Sequence, residues 1–129
     1  MRTILSLAAA SVMLAGSAAY AHHSYAATYD VTHEIKLEGK IVQFVYRNPH
    51  SFVHVTTEDK GESQRWAVEW SGTTQLNKAG VDKESLKVGD VVVITARPSR
   101  VAGEYRALML TLKRPSDGFT WGSQGQQVD

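Results

Sequence analysis

The chain contains no cysteine. Disulfide bonds, thiol redox chemistry and zinc sites built on cysteine are therefore excluded, although an exported protein would meet an oxidising compartment. The fold must rest on packing, alone or together with a bound ligand. A second absence is that of a long apolar run beyond the N-terminal region, because no later segment approaches the roughly 20 residues that cross a bilayer. We expect the mature chain to be soluble, with no membrane partner.

A charge excess of one sign is also missing. The chain has 14 basic and 13 acidic residues, and this difference disappears with Arg2, which lies in an N-terminal segment that we expect to be removed. Nucleic acids and anionic membrane surfaces both favour proteins with a basic excess that replaces counterions. We therefore expect no nucleic acid partner.

The N-terminus has the three parts of a secretory signal peptide. Arg2 supplies a positive charge, residues 4–15 form a short apolar run, and Ala19-Tyr20-Ala21 places small residues at the two positions that signal peptidase inspects. No twin arginine precedes the run, and no lipid-accepting cysteine follows it. We predict cleavage after Ala21 and a periplasmic or secreted bacterial protein. This interpretation is favoured over a cytosolic protein with a buried N-terminal helix.

The remaining chain is long enough for one domain with a modest core, but not for two. Its last residues are rich in glycine, serine and glutamine, although Phe119 and Trp121 are large enough to dock on the domain. The predicted organisation is a signal peptide at residues 1–21, an N-terminal arm at 22–33, a β domain at 34–114 and a flexible C-terminal tail at 115–129.

The β domain begins with a long strand whose alternation changes phase. Apolar residues occupy odd positions up to Ile41 and even positions from Val42 onward, so we predict a β-bulge near Gly39-Lys40. A proline turn separates this strand from a second one over residues 50–57. An acidic loop then leads to a third strand over residues 64–70. The pattern predicts an antiparallel meander of three strands.

After the meander the period changes. A short helix is predicted over residues 74–79, with Gly80 as its natural stop, and two further strands are predicted at residues 91–96 and 104–113. A long bent first strand and a helix between strands three and four are typical of the OB-fold. We therefore predict a mainly β protein, a small five-stranded OB-like barrel with a short helix between strands 3 and 4. A generic β-sandwich is the alternative.

Several short motifs of the mature chain are similar to those of a known family. They are His22-His23-Ser24-Tyr25-Ala26-Ala27 with Tyr29-Asp30, Leu37-Glu38-Gly39-Lys40-Ile41, Asn48-Pro49-His50, Trp66 with Glu69, and the Leu86-Lys87 and Gly89-Asp90 pairs of one turn. On these motifs the chain resembles the bacterial domain-of-unknown-function family 6152 over nearly its whole mature length. The resemblance implies a small exported protein and brings no established activity, cofactor or catalytic residue.

Cleavage after Ala21 would leave a histidine as the first residue. His22 could then bind a metal through its amine and its ring, in the arrangement called a histidine brace, or His23 could complete adjoining chelate rings with the amine and an amide nitrogen. Nitrogen donors and the divalent affinity order both favour copper(II). Cleavage after Ala19 would instead expose Tyr20-Ala21-His22, whose nitrogen atoms form a square-planar set for Cu(II) or Ni(II).

A third ligand is needed for a brace, and His50 is the first candidate. It follows a proline turn at the start of a strand, and we expect it at the barrel rim, within reach of the N-terminal arm. His54 cannot share the same ion, because four residues of strand separate the two by about 13 Å. His33 and His54 are secondary candidates. For each of these histidines the alternative is a solvated or hydrogen-bonded side chain without metal.

Other candidate sites carry weaker signals. Phe52, Trp66 and Trp70 could form an aromatic platform for a ligand, but the two tryptophans more often fill the core of a small barrel. Glu69 has no second acid predicted within reach. Five arginines are dispersed among acidic residues, and we expect them to form a solvated surface. They are Arg47, Arg65, Arg97, Arg100 and Arg106.

Two functions follow as hypotheses. The first is an exported metal-binding module that holds copper through His22, His23 and His50. The alternative is a binding module for a protein or saccharide that uses an aromatic face and no metal. No catalytic triad or paired carboxylate has motif-grade spacing, so we do not expect an enzyme.

Overall fold

The computed structural model describes residues 25–122. The predicted signal peptide, its cleavage site at Ala21 and the two histidines His22 and His23 lie outside these residues. Within residues 25–122, no helix has the length and the apolar character that crossing a membrane requires. The elements are β1 (Ile35–Val45), β2 (Ser51–Asp59), β3 (Glu62–Trp70), α1 (Thr73–Lys78), β4 (Val91–Pro98), β5 (Arg106–Arg114) and β6 (Phe119–Trp121).

The first five strands form a closed barrel. Their order is β3-β2-β1-β4-β5, and a parallel pairing of β3 with β5 closes it. Strand β1 is long enough to pair with β2 along its second half and with β4 along its first half. With α1 between β3 and β4, the predicted mainly β, OB-like barrel is confirmed.

The change of alternation in β1 comes from a β-bulge, which lies further along the strand than predicted. Ile41 pairs with Val55 and Gln43 pairs with His54, so the extra residue of the bulge is Val42. Gly39 serves another purpose, because a Cβ there would lie 2.3 Å from the carbonyl oxygen of Thr56. The glycine allows close approach of β2, and the bulge two to three residues later turns the strand.

The barrel interior is apolar. One buried cluster contains residues from all five barrel strands, and Trp70, at 2% exposure, belongs to it together with Leu76 of α1. Trp121 of β6 packs edge-to-face on Trp70, with ring centroids 5.1 Å apart. Strand β6 lies in the segment for which a tail is predicted, and it extends the sheet beyond β5.

The N-terminal arm lies against the outside of the barrel. Residues 25–28 form a helical turn, and Tyr29 makes an isolated bridge with Ser99 after β4. The Asp30 amide donates to the Pro98 carbonyl at 2.8 Å. The arm is therefore joined to the barrel by backbone hydrogen bonds, and this places two arm tyrosines over the site described next.

Candidate functional site

Five side chains meet where the arm crosses the outer face of the barrel. Tyr25 and Tyr29 come from the arm, His50 directly precedes β2, Glu69 lies in β3, and Arg106 is the first residue of β5. Pairing of β2 with β3 and of β3 with β5 brings the last three together. We call these residues the arm-side cluster.

Glu69 is the centre of the arm-side cluster. It lies on the outer face of β3 but is only 6% exposed, because the arm covers it. Its Oε2 accepts hydrogen bonds from the Tyr29 hydroxyl and from Nη2 of Arg106 at 3.0 Å. Nε of Arg106 also donates to the Tyr29 oxygen at 2.9 Å. A buried carboxylate thus has a charged and a neutral donor, as burial of a charge requires.

The protonation of Tyr29 fits this role. Burial raises the pKa of its hydroxyl well above the usual range, and the hydrogen bond to Glu69 adds to the rise. The phenol therefore remains a donor at all physiological pH values. For Arg106, burial lowers the pKa, but the hydrogen bonds to Glu69 and Tyr29 outweigh this, and the pKa is raised.

His50 faces the cluster through one ring nitrogen. Its Nδ1 lies 3.4 Å from Oε1 of Glu69 and 2.9 Å from the Tyr25 hydroxyl. Burial and the Glu69 charge raise the pKa of Tyr25, so its hydroxyl stays protonated. Both polar contacts of the imidazole within the described residues are made by Nδ1. An external ligand of this ring would therefore bind at Nε2.

The turn before His50 is held on both sides. The Asn48 side-chain oxygen accepts from the Thr73 amide at 2.8 Å and so satisfies the first turn of α1. Gly72 is required there, because a Cβ would lie 2.6 Å from Asn48 Oδ1 and from the Pro49 carbonyl oxygen. The buried Ser51 hydroxyl donates to the Arg47 carbonyl. The turn residues thus fix the backbone that carries His50.

Next to the cluster is a cleft with two arginines. Arg47 and Arg106 lie over the Phe52 ring, with guanidinium carbons 5.5 and 5.8 Å from its centroid. The cleft has a volume of about 340 Å³. We call it the basic cleft; its lining residues are Gln43, Val45, Arg47, Phe52, His54, Ala67 and Arg106.

Three of the arginines for which a solvated surface is predicted also contact the arm, and Arg100 among them is exposed as predicted. Arg106 binds Tyr29 and Glu69 as described, Nε of Arg100 donates to the Ala26 carbonyl at 2.6 Å, and Arg97 donates to the Val31 carbonyl. In the structure these side chains lie on outward positions of β4 and β5 and in the connection between the two strands. Sequence periodicity does not reveal that the arm covers that face.

The secondary histidine candidates lie apart from His50. His33 is exposed and contacts Asp30, with 2.6 Å between Nδ1 and Oδ2. His54 lines the basic cleft, where burial and then the charge of Arg65 lower its pKa. No group of three histidine, aspartate or glutamate side chains that could hold a metal ion occurs in the part of the chain that the structure describes.

The three predicted platform residues do not share one surface. Trp70 is in the core, whereas Phe52 lines the basic cleft. Trp66 is half-buried and packs edge-to-face on Tyr105, with centroids 5.2 Å apart, in a second cleft of about 520 Å³. Phe52 pairs with Glu69 and Trp66 with Val55, so the two aromatic rings lie on opposite faces of the sheet.

The fold and the site define a class, that of a small OB-like barrel with a docked N-terminal arm. The family model DUF6152, a family of unknown function, matches residues 9–107. The match covers more than half of the chain, which therefore belongs to this family. Comparison with curated proteins and with solved structures finds no match.

Proposed function

We propose that this protein is an exported metal-binding module that holds copper(II) through its first mature residues, His22 and His23, together with His50. The observation that carries the proposal is the contact between Tyr25 and His50, 2.9 Å from hydroxyl to Nδ1. His22 precedes Tyr25 by three residues, which span at most about 11 Å of chain. The amine and imidazole of a mature His22 are therefore tethered within reach of the His50 ring.

The surroundings of His50 support the same proposal. Metal-binding histidines commonly use their second nitrogen to contact a carboxylate or another polar group, which orients the ring and raises its basicity. Nδ1 of His50 has such partners in Glu69 and Tyr25. Arg106 and Tyr29 in turn fix the Glu69 carboxylate. Nε2 would then be the ligating atom, and nitrogen-only ligation favours copper(II) among the divalent first-row metals.

A copper(II) titration of the chain beginning at His22 tests the proposal. We expect His50→Gln to lower the affinity by at least about tenfold and a double replacement of His22 and His23 by glutamine to abolish specific binding. His33→Gln is the matched control and should leave affinity unchanged. Equal affinity of all variants would overturn the proposal. Because amines and imidazoles must lose a proton to bind, affinity should fall as the pH falls below about 8.

The mass of the protein purified from its own compartment provides a second test. We expect a chain that begins at His22, after cleavage at Ala21. A chain that begins at Tyr20 would overturn the brace, since the square-planar set of Tyr20-Ala21-His22 does not need His50. A cytosolic, uncleaved chain would overturn export itself.

A second candidate function, binding of a saccharide, is favoured by the cleft at Trp66 and Tyr105. Their edge-to-face pair provides an aromatic wall, and carboxylates that can accept hydrogen bonds from sugar hydroxyls line the same cleft. These are Glu38, Glu58, Asp59 and Glu62. Titration with chitotriose, followed by tryptophan fluorescence, should give saturation that Tyr105→Ala removes. A linear, unsaturated response in both proteins would rule out this candidate.

A further inference from the structure

The basic cleft has a one-sided charge that the copper proposal does not use. Its lining includes the guanidinium groups of Arg47 and Arg106 and no acidic residue. Arg106 is already paired with Glu69, which is buried behind it. Within the described residues the Arg47 side chain makes one hydrogen bond, from Nε to the His50 carbonyl at 3.3 Å. Arg65 lies at the edge of the cleft, where its Nη2 donates to Oε1 of Gln43 at 3.0 Å. The cleft therefore presents an excess of positive charge.

The two guanidinium groups converge on one aromatic ring. Both lie within 6 Å of the Phe52 centroid, where attraction to the ring holds a cation. Two like charges so placed repel each other, and Glu69 offsets only one of them. An anion bound between Arg47 and Arg106 would relieve this repulsion and could accept paired hydrogen bonds from planar guanidinium donors.

Both arginines are positioned before any ligand arrives. Arg106 is fixed by Glu69 and Tyr29, and the Arg47 guanidinium lies over the Phe52 ring with its Nε bonded to the His50 carbonyl. Binding then costs less side-chain entropy than it would with free surface arginines. The site is pre-formed in this sense.

The rest of the lining indicates what kind of anion fits. Val45, Phe52 and Ala67 supply apolar surface, while Gln43 and His54 supply polar edges. A volume of about 340 Å³ lies at the lower end of small-ligand sites. We propose that the basic cleft binds a small organic monoanion, with its carboxylate on Arg47 and Arg106 and its planar apolar part against Phe52.

A nucleic acid strand is a less suitable occupant. Polynucleotide sites need a track of basic residues that follows successive phosphates. Two arginines line the basic cleft, one of them paired with Glu69, and Arg65 lies at its edge, in a chain whose basic and acidic residues nearly balance. Guanidinium groups gathered around one small cleft form no such track, and they suit a single carboxylate.

Titration of the isotopically labelled protein with benzoate, followed by amide chemical shifts, tests the proposal. We expect saturable shifts at residues of the basic cleft, weaker binding of acetate, and no saturable binding of benzylamine, which has the same ring and the opposite charge. Arg47→Gln should weaken benzoate at least about tenfold, which corresponds to about 1.4 kcal/mol. Phe52→Leu should weaken benzoate more than acetate.

Lys113→Gln is the charge-matched control, because Lys113 lies on the exposed face of β5 outside the cleft. It should leave benzoate binding unchanged, and so should His50→Gln, which separates this proposal from the copper site. Equal binding of benzylamine, or an unaltered affinity in Arg47→Gln, would overturn the proposal. Tighter binding of hexathymidylate than of benzoate at the same residues would overturn it in favour of nucleic acid.

Discussion

Strand β5 begins and ends with an arginine. Each arginine forms an ion pair with a carboxylate, and the two pairs differ in which partner is buried. The Arg106 side chain is 39% exposed, and the side chain of its partner Glu69 is 8% exposed. At the other end Arg114 is 15% exposed, whereas its partner Asp117 is 53% exposed. The acid is buried in the first pair and the base in the second.

The difference matters because of what each arrangement leaves accessible. Arg114 donates to both oxygens of Asp117, to Asp90 and to the Ser85 carbonyl. Its guanidinium therefore joins the β5–β6 turn to the connection between α1 and β4 and has little capacity for a ligand. Glu69 instead holds Arg106 and His50 at the surface. A buried acid whose basic partners are exposed is the arrangement expected of a binding site. A buried arginine shared between a half-buried acid, Asp90, and an exposed one, Asp117, is expected of a structural contact.

Removal of the buried acid should have the largest effect. Glu69→Ala leaves the buried Tyr29 hydroxyl without its acceptor and Arg106 without its counter-charge. We expect a loss of about 2 to 3 kcal/mol of unfolding free energy, below the range for fully buried pairs because Arg106 keeps solvent contact. Urea unfolding measures it. Glu62→Gln, an exposed position of the same strand, should change stability by less than about 0.5 kcal/mol.

Removal of the buried base should cost less and affect stability alone. Arg114→Ala gives up four hydrogen bonds, but their acceptors are partly solvated, so we expect a loss of about 1 to 2 kcal/mol. Benzoate and copper binding should be unchanged in the folded variant. If Arg114→Ala weakened either ligand while Glu69→Ala did not, the contrast between the two ends of β5 would be wrong.

The arm can be loosened without disturbing the barrel. Tyr29→Phe keeps the ring but removes the hydroxyl that bridges Glu69 and Arg106, and we expect a loss of about 1 kcal/mol. Amide hydrogen exchange at Asp30, whose amide donates to Pro98, should accelerate more than exchange in β1 and β4. Uniform acceleration across the barrel would mean that the arm and the barrel open together.

The barrel could be predicted from sequence because its signals are local. Alternation in β3 placed Trp66, Val68 and Trp70 on one face, and the glycine-ended helix after it marked the fold. The bulge was predicted two to three residues too early. A glycine within a strand is typical both of a bulge and of close approach by a neighbouring strand, and Gly39 serves the second purpose. Periodicity reports the faces of a strand and not the contacts between distant strands.

The arm-side cluster could not be predicted for the same reason. Glu69 and Arg106 occupy outward positions, which are normally solvated, and their burial depends on an arm whose residues have no regular period. His50 was singled out from its place after a proline turn, and Tyr25 of the arm contacts it. That it binds metal stays a prediction.

We expect the smallest effect at Asp117, the partner of Arg114 at the C-terminal end of β5, where the contribution to stability should depend on pH. The hydrogen bonds from Arg114, then the Phe119 amide, lower the pKa of Asp117. A carboxyl with a lowered folded-state pKa stabilises the fold above its unfolded value of about 3.9, and this contribution is lost as the pH falls through the folded pKa. Asp117→Asn should therefore be less stable than the parent near neutral pH, and the difference should shrink below about pH 4. Urea unfolding across that range measures the difference. A constant difference would mean that the Asp117 side chain acts by geometry and not by charge, and the structural contact at Arg114 would then depend on Asp90.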